Sequence, residues 1–473
     1  MLLLTHIVIS YYIVQNLYLR NAACPASKGY SHTPFYPIAV QEYVALGVFA
    51  LVYVLIIGRR RFKVPIWAAM LIGAALMVGL QVTGISDAFR AVNLEVIAFL
   101  FGMFSIVSAL ERAGVLKMIA VRMLARARTP AQLLMIFVIG MGALAAFLVN
   151  DTIALLGIPL AVHVARHARI KPAILLLALA FGITVGSVMT PIGNPQNLLI
   201  AIDSGMQFPF VTFLLYLSVP TMANLFVTYL ILRAYFRKEL PEALERAPAE
   251  VVAEEEGEEE DGGVYYNHRQ ARLAIYITIA TLAGFVISEF LHVLRVADFG
   301  LSIVAMLGAA ALYALSSERT QILKKVDYSV LVFFAAMFVV TSAMWQSGAI
   351  AIITGWLPDP SPADKAQSLG VITAASLSLS QVLSNVPFVA LYDFVMTESG
   401  FGSGHVAQWL MLAAASTIAG NLTILGAASN VIVIEAAEAR GVRAFSFFEF
   451  AKVGSVITAA NIAIYYAFIT LVL

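Results

Sequence analysis

The sequence predicts an all-α polytopic membrane protein, with about eleven transmembrane helices and two re-entrant hairpins in two inverted-topology repeats. Three observations predict it. Of 473 residues, 61% are hydrophobic and only 12% charged, with a mean hydropathy of +0.89; a chain this apolar has a bilayer as its solvent. The apolar residues fall in runs long enough to cross hydrocarbon. Inside those runs, polar interruptions containing Gly and Pro occur twice in the same order, about 235 residues apart.

Taken in order, the run from Leu2 to Leu19 has no basic residues ahead of it and reads as a retained first span. Residues 1–37 are that span and an external loop. Spans follow at 38–57, 64–83 and 94–110, and Arg59, Arg60, Arg61 and Lys63 put the loop after the first of these in the cytoplasm. The apolar segment 131–168 is long enough to cross twice, is broken at Asn150 and Asp151, and has basic residues at both ends, Lys117 to Arg128 before it and Arg166, Arg169 and Lys171 after it. A single crossing would place basic clusters on both faces of the membrane, whereas an inner re-entrant hairpin keeps both in the cytoplasm. A broken helix at 172–202 and a span at 208–236 complete repeat 1, residues 38–238. Residues 239–268, dense in Glu, form an acidic cytoplasmic linker of disordered composition.

Repeat 2, residues 269–473, has spans at 270–293, 298–316 and 328–345. An outer hairpin follows at 368–400, broken at Ser384, Asn385 and Pro387, with Lys365 the nearest basic residue. A broken helix at 406–438 ends at Arg440 and Arg443, which places that end inside, and a last span covers 449–472. The halves therefore have opposite orientation. Their alignment extends beyond the breaks: GMFSIVSALERAG from Gly102 lies over AMFVVTSAMWQSG from Ala336, with Phe104 and Phe338, and Gly114 and Gly348, each 234 residues apart. The stretches 112–128 and 348–367 read as amphipathic connectors along the interface.

The four breaks are the candidate site. FLVNDTIALL (Phe147 to Leu156) pairs with TPIGNPQNLLIAI (Thr190 to Ile202), and QVLSNVPFVAL (Gln381 to Leu391) with TILGAASNVIVIEA (Thr423 to Ala436). Unwound backbone inside hydrocarbon is tolerated only where protein, water or a ligand satisfies it. Asn150, Thr152, Ser384 and Asn385 offer neutral oxygens to a dehydrated cation. Thr190, Gly193 and Asn197 with their counterparts Thr423, Gly426 and Asn430, and beside them Asn194 and Ser429, stand where a new half-helix begins, whose N–H groups attract negative charge or a polar hydroxyl. The plainer alternative is that Pro191, Pro195 and Pro387 kink the helices and the amides patch the freed carbonyls. Asp151 is the sharpest residue. A carboxylate at membrane depth costs roughly 2.5 to 3.5 kcal/mol on insertion scales, so it binds a cation or holds a proton; the alternative is a helix cap for a half-helix starting at Thr152. Its repeat mate is Val386, so only one tip carries the charge. Glu95 and Asp327 read as span entrances, His163 as a residue of the cytoplasmic mouth, and Glu289 with His292 as a weaker relay candidate.

A single cysteine, Cys24, excludes an internal disulfide, and no Cys/His cluster suggests a bound metal. No cofactor is expected beyond the coupling ion. No basic nucleic-acid footprint is present, and no phosphate-binding loop suggests direct ATP drive, although a separate ATPase partner would leave no trace.

The tips Asn-Asp-Thr and Ser-Asn-Val, with TPIGNPQN and the looser TILGAASN, resemble the ion transporter superfamily that includes divalent-anion/sodium symporters, arsenite-efflux permeases, citrate carriers and some Na+/H+ antiporters. The resemblance covers residues 38 to 472. It implies a transport domain of hairpins and broken helices that moves against a scaffold, in a dimer. It also implies one Na+ site at Asn150, Asp151, Thr152, Gly193 and Asn197, a second at Ser384, Asn385, Gly426 and Asn430, and substrate between the tips. The dicarboxylate symporters carry Ser-Asn-Thr at both tips, and this chain departs from that; an Asn-Asp pair looks more like arsenite-efflux permeases. The expected function is secondary active transport of a small anion or oxyacid, arsenite-like, coupled to H+ or Na+ across the plasma membrane, with Asp151 as the proton-coupling residue. A Na+/H+ antiporter and a Na+-coupled di- or tricarboxylate symporter are the alternatives, with a passive channel or a membrane-embedded enzyme more remote.

Overall fold

The computed structural model describes residues 38–244, 268–294, 299–354 and 360–473. The expected first span and most of the acidic linker lie outside the described residues. Sixteen principal helices follow one another: α1 (Ile38–Ile57), α2 (Ile66–Gly79), α3 (Leu94–Arg112), α4 (Pro130–Leu148), α5 (Asn150–His167), α6 (Pro172–Met189), α7 (Pro195–Asp203), α8 (Pro209–Tyr235), α9 (His268–Val293), α10 (Leu301–Leu315), α11 (Tyr328–Gln346), α12 (Lys365–Leu383), α13 (Asn385–Glu398), α14 (Val406–Ala419), α15 (Ala428–Glu438) and α16 (Phe447–Val472). Every span expected after residue 37 is helical. Among the described residues, seven helices are long and apolar enough to cross a membrane, and four more are apolar but shorter.

The starts of these helices are written locally. Asn93 caps α3 by accepting from Val96 N at 3.2 Å, Thr129 caps α4 with Pro130 in its first turn, and Asp364 caps α12 by accepting from Gln367 N at 3.0 Å. Ser446 and Glu449 form a reciprocal capping box on α16. Asp327, read as a span entrance, caps α11. Glu289, the weaker relay candidate, caps α8 from outside that helix: its carboxylate accepts from Phe210 N at 2.6 Å and Val211 N at 3.1 Å, a structural task for an otherwise costly buried charge.

Among the described residues each half contributes eight of these principal helices in the same succession, and equivalent elements pack across the halves. Helix α3 packs on α10 and α2 on α11; α5 packs on α15 and α7 on α13; α8 packs on α16. Ion pairs Arg112–Glu318 and Lys325–Glu111 (2.9 Å) fasten the end of α3 to the segment after α10. At the α8–α16 contact, the Thr221 and Tyr465 hydroxyls meet at 2.7 Å and Asn224 donates to the Asn461 carbonyl at 3.3 Å. Helices α6 and α14 are apolar all round and buried almost throughout, so they form the centre of the fold. Small residues let α4 approach α6 closely: a Cβ on Gly186 would lie 2.0 Å from the Gly142 carbonyl oxygen.

Candidate functional site

The hairpin breaks are tighter than an unwound loop. One residue reverses each backbone, Val149 at φ 66° and its repeat mate Ser384 at φ 65°, and the next helix starts at once with Asn150 or Asn385. A side chain at positive φ is costly, and its occurrence at two matched positions marks both as built features. Helix α5 therefore begins at Asn150, with Asp151 in its first turn and no side-chain cap at its start. The alternative that Asp151 caps a helix beginning at Thr152 is thereby corrected.

The helix breaks repeat just as closely. Thr190 and Thr423 are both extended, at φ −137° and −138° with ψ 160°, and each is followed by a short helix after an interruption. Asn197 donates to the Ser187 carbonyl at 3.1 Å, and its mate Asn430 donates to the equivalent Gly420 carbonyl at 2.7 Å. The Thr190 hydroxyl donates to the Ala146 carbonyl; Thr423 donates at 2.7 Å to the side chain of Gln381, the residue matching Ala146. The Gly193 carbonyl receives the Asn150 N–H at 2.9 Å, and the Gly426 carbonyl receives the Ser384 hydroxyl at 3.4 Å. Each tip is thus tied to its own broken helix.

Polar saturation differs between the two. Around the first break, Asn194 caps α7 by accepting from Asn197 N at 2.9 Å and donates to Ser187 O, Ser187 Oγ and Thr417 Oγ1. Asn197 also reaches the Val188 and Thr190 carbonyls and accepts from Thr417. Around the second break Ala427 stands where Asn194 stands in the first, and the network is open. Asn385 Oδ1, Asn421 Oδ1, Ser429 Oγ and Asn430 Oδ1 are buried without a hydrogen-bond partner, as are Ser380 Oγ and Ser376 Oγ along α12. A buried polar atom left unpaired costs about 1–3 kcal/mol, which makes this set a candidate binding surface. Asn385 and Asn430 both lie against Gly420, where a Cβ would come within 2.9 Å of Asn385 Nδ2.

A cavity of about 600 Å³ joins the breaks to the other helices. From the expected residues it takes Asn150, Asp151, Ser384, Asn385 and Ser429, with Pro195 and Gln196 at the start of α7. Thr190, Gly193, Asn194, Asn197, Gly426 and Asn430 are buried behind that wall, Thr423 is half-buried there, and Thr152, half-buried on α5, lines no part of it. The opposite wall is α1, α2 and α11, which bring Ile56, Lys63, Trp67, Asp327 and Phe334. Glu435 of α15 completes the charged lining. Sequence reading treated Lys63 as a topology marker and Asp327 as a span entrance, and passed over Glu435 although it lies within the second motif. At the boundary between the walls, Tyr53 on α1 donates its hydroxyl to the Leu383 carbonyl at 3.3 Å, one residue before the second tip. Among the described residues, no group of three or more His, Cys, Asp or Glu stands ready to hold a metal ion.

An uncharacterized transporter of Mycobacterium bovis is 30% identical over 432 residues, covering 89% of this chain and 96% of its own. A silicon efflux transporter of Oryza sativa subsp. japonica is 30% identical over 454 residues, covering 85% of this chain and 91% of its own. The P protein of Mus musculus is 26% identical over 491 residues, with 88% of this chain matched to 58% of its length. The citrate transporter family, CitMHS, matches residues 53–419, so the chain belongs to that family and is an integral membrane transporter.

Proposed function

We propose that the protein is a secondary active transporter for a small, uncharged, hydroxylated acid, coupled to H+ or Na+. The charge of the cavity wall carries this reading: among the described lining residues the acids Asp151 and Asp327 outnumber the cation Lys63, amid amides, hydroxyls and apolar groups. A multiply charged anion meets net negative charge there, whereas a neutral polyhydroxy acid finds donors and acceptors without repulsion. Arsenous acid and silicic acid are of this kind, and the rice relative is named for silicon efflux.

Transport is of the elevator type, with hairpins, broken helices, α8 and α16 moving against α1–α3 and α9–α11. Asp151 exchanges a proton or binds the coupling cation at the first tip. The unpartnered oxygens of Asn385, Asn421, Ser429 and Asn430 are hard, neutral ligands suited to Na+ at the second. This reading places the protein in the plasma membrane, as a homodimer with its acidic linker in the cytoplasm. A Na+-coupled carboxylate carrier is the second reading, favoured by Lys63 and by the family description.

Uptake of arsenite, silicic acid, phosphate, sulfate, citrate and succinate into proteoliposomes, with Na+ and H+ gradients imposed separately, tests both. The first reading expects gradient-driven movement of the neutral acids; Na+-driven citrate or succinate uptake would select the second. Flux indifferent to both gradients would leave a passive channel and defeat both.

A further inference from the structure

The two hairpins are tied to their broken helices by different means. In the first half the hairpin offers its backbone: the Thr190 hydroxyl donates to the Ala146 carbonyl, and Gly142 lies so close to Gly186 that a Cβ on Gly186 would meet the Gly142 carbonyl oxygen at 2.0 Å. The second half has Gln381 in place of Ala146 and Ala419 in place of Gly186, and here a side chain spans the gap. Half-buried Gln381 donates from Nε2 to the Ala419 carbonyl at 2.8 Å, and its Oε1 accepts from the Thr423 hydroxyl at 2.7 Å.

These partners are the two ends of the second break. Ala419 ends α14, where carbonyls run out of helical donors, and its oxygen takes both Leu422 N at 3.1 Å and the Gln381 amide. Thr423 is the extended residue from which the chain turns towards α15. A carbonyl oxygen only accepts, so the amide nitrogen faces Ala419 and the amide oxygen is left to the Thr423 hydroxyl. One planar group thus holds both ends at a fixed separation. It stands less than one helical turn ahead of the tip residue Ser384. The tip meets the same break twice more: the Ser384 hydroxyl donates to the Gly426 carbonyl at 3.4 Å, and a Cβ on Gly420 would come within 2.9 Å of Asn385 Nδ2. A Cβ on Gly426 would stand 3.1 Å from Gln381 Oε1, so that glycine leaves room for the amide.

We propose that Gln381 is a positioning residue of the second site. Its amide fixes the second tip against the two ends of the break, and so sets the spacing between the unpaired oxygen of Asn385 on the tip and those of Asn421, Ser429 and Asn430 on the break. The first break carries its own amide, Asn194, whereas the second has Ala427 there and takes its amide from the hairpin. Oxygens drawn from separate elements bind a hard cation or a small hydroxylated acid only as well as their spacing allows. Gln381 lines no part of the cavity and acts through the groups it holds. The inference deepens the transport reading above and rests on it for what those oxygens bind.

Hydrogen exchange of the purified full-length protein, read by mass spectrometry, together with transport in proteoliposomes, tests this. Gln381→Met keeps the length of the side chain and removes its amide; Thr423→Val keeps the shape of its residue and removes the hydroxyl. Gln381→Met is expected to speed exchange in peptides across 383–388 and 420–430 and to leave those across 147–152 unchanged. It should raise the solute and ion concentrations for half-maximal transport about tenfold and alter the maximal rate less than about twofold. Thr423→Val should move the same quantities in the same direction, and the double variant should go no further than Gln381→Met alone, because both open one clasp. Unchanged exchange across 383–388, a lower maximal rate with half-saturation unmoved, or additive effects of the two substitutions would overturn the proposal. Should Gln381→Met fail to fold, Thr423→Val removes one of the two bonds and gives the same readouts. Wild type without gradient-driven flux would defeat the transport reading, while the exchange pattern still decides the clasp.

Discussion

The two broken helices share one hydrogen-bonded skeleton and differ in how fully it is satisfied. In both, an asparagine of the second half-helix holds a carbonyl at the end of the first, at matched positions Asn197–Ser187 and Asn430–Gly420. The first break adds Asn194 and Thr417, and these tie up the amides; the second has Ala427 and leaves several buried oxygens unpaired. The first tip in turn bears a carboxylate, Asp151, where the second has Val386. Duplication supplied the frame, and divergence assigned fixed structure and charge to one copy and open coordination to the other.

The largest expected difference is at the matched glycines. A Cβ on Gly193 would sit 2.2 Å from the Ser187 carbonyl oxygen and 2.8 Å from the rest of that residue's backbone, whereas on Gly426 the nearest atom is the Ala419 oxygen at 3.0 Å. Gly193→Ala should abolish recovery of monodisperse protein, and Gly426→Ala should give folded protein; equal yields on size-exclusion chromatography would break the comparison. Next come the asparagines. Asn197→Ala takes the amide from the Val188 and Thr190 carbonyls, leaves Ser187 O with Asn194 alone, and should cost about 2 to 4 kcal/mol, against about 1 to 2 kcal/mol for Asn430→Ala, which loses one bond. Unfolding of the two variants in one detergent gives the order directly.

Ala427→Asn sharpens the comparison by restoring to the second break the amide that the first already has. It should fill the open coordination and raise the Na+ concentration for half-maximal transport about tenfold, equivalent to about 1.4 kcal/mol. An unchanged Na+ dependence would mean that the unpaired oxygens do not bind the ion. The smallest effect is expected at Lys171→Ala, which removes an exposed pair with Glu239 at 2.8 Å and should leave thermal stability and flux unaltered.

Helix positions and breaks were legible in the sequence because apolar run length and Pro, Gly and Asn interruptions are local signals. The duplication was legible because the matched residues keep nearly constant offsets. What stayed hidden depends on the direction of a side chain or on residues distant in sequence. An asparagine at a break reads the same whether its amide faces an ion or a carbonyl, so Asn194 and Asn197 could not be distinguished from Asn385. Lys63 and Asp327 reach the cavity only because α1, α2 and α11 form its far wall. Glu289 looked like a free intramembrane acid until α8 placed its first N–H groups against it, 79 residues away in sequence.

The central claim is that Asp151 couples solute movement to an ion gradient, and comparing accumulation with exchange in proteoliposomes tests it most directly. Asp151→Asn should lose gradient-driven accumulation of the transported acid while still exchanging labelled for unlabelled solute across the membrane. Accumulation equal to wild type would contradict the account and leave Asp151 as a bystander at the tip.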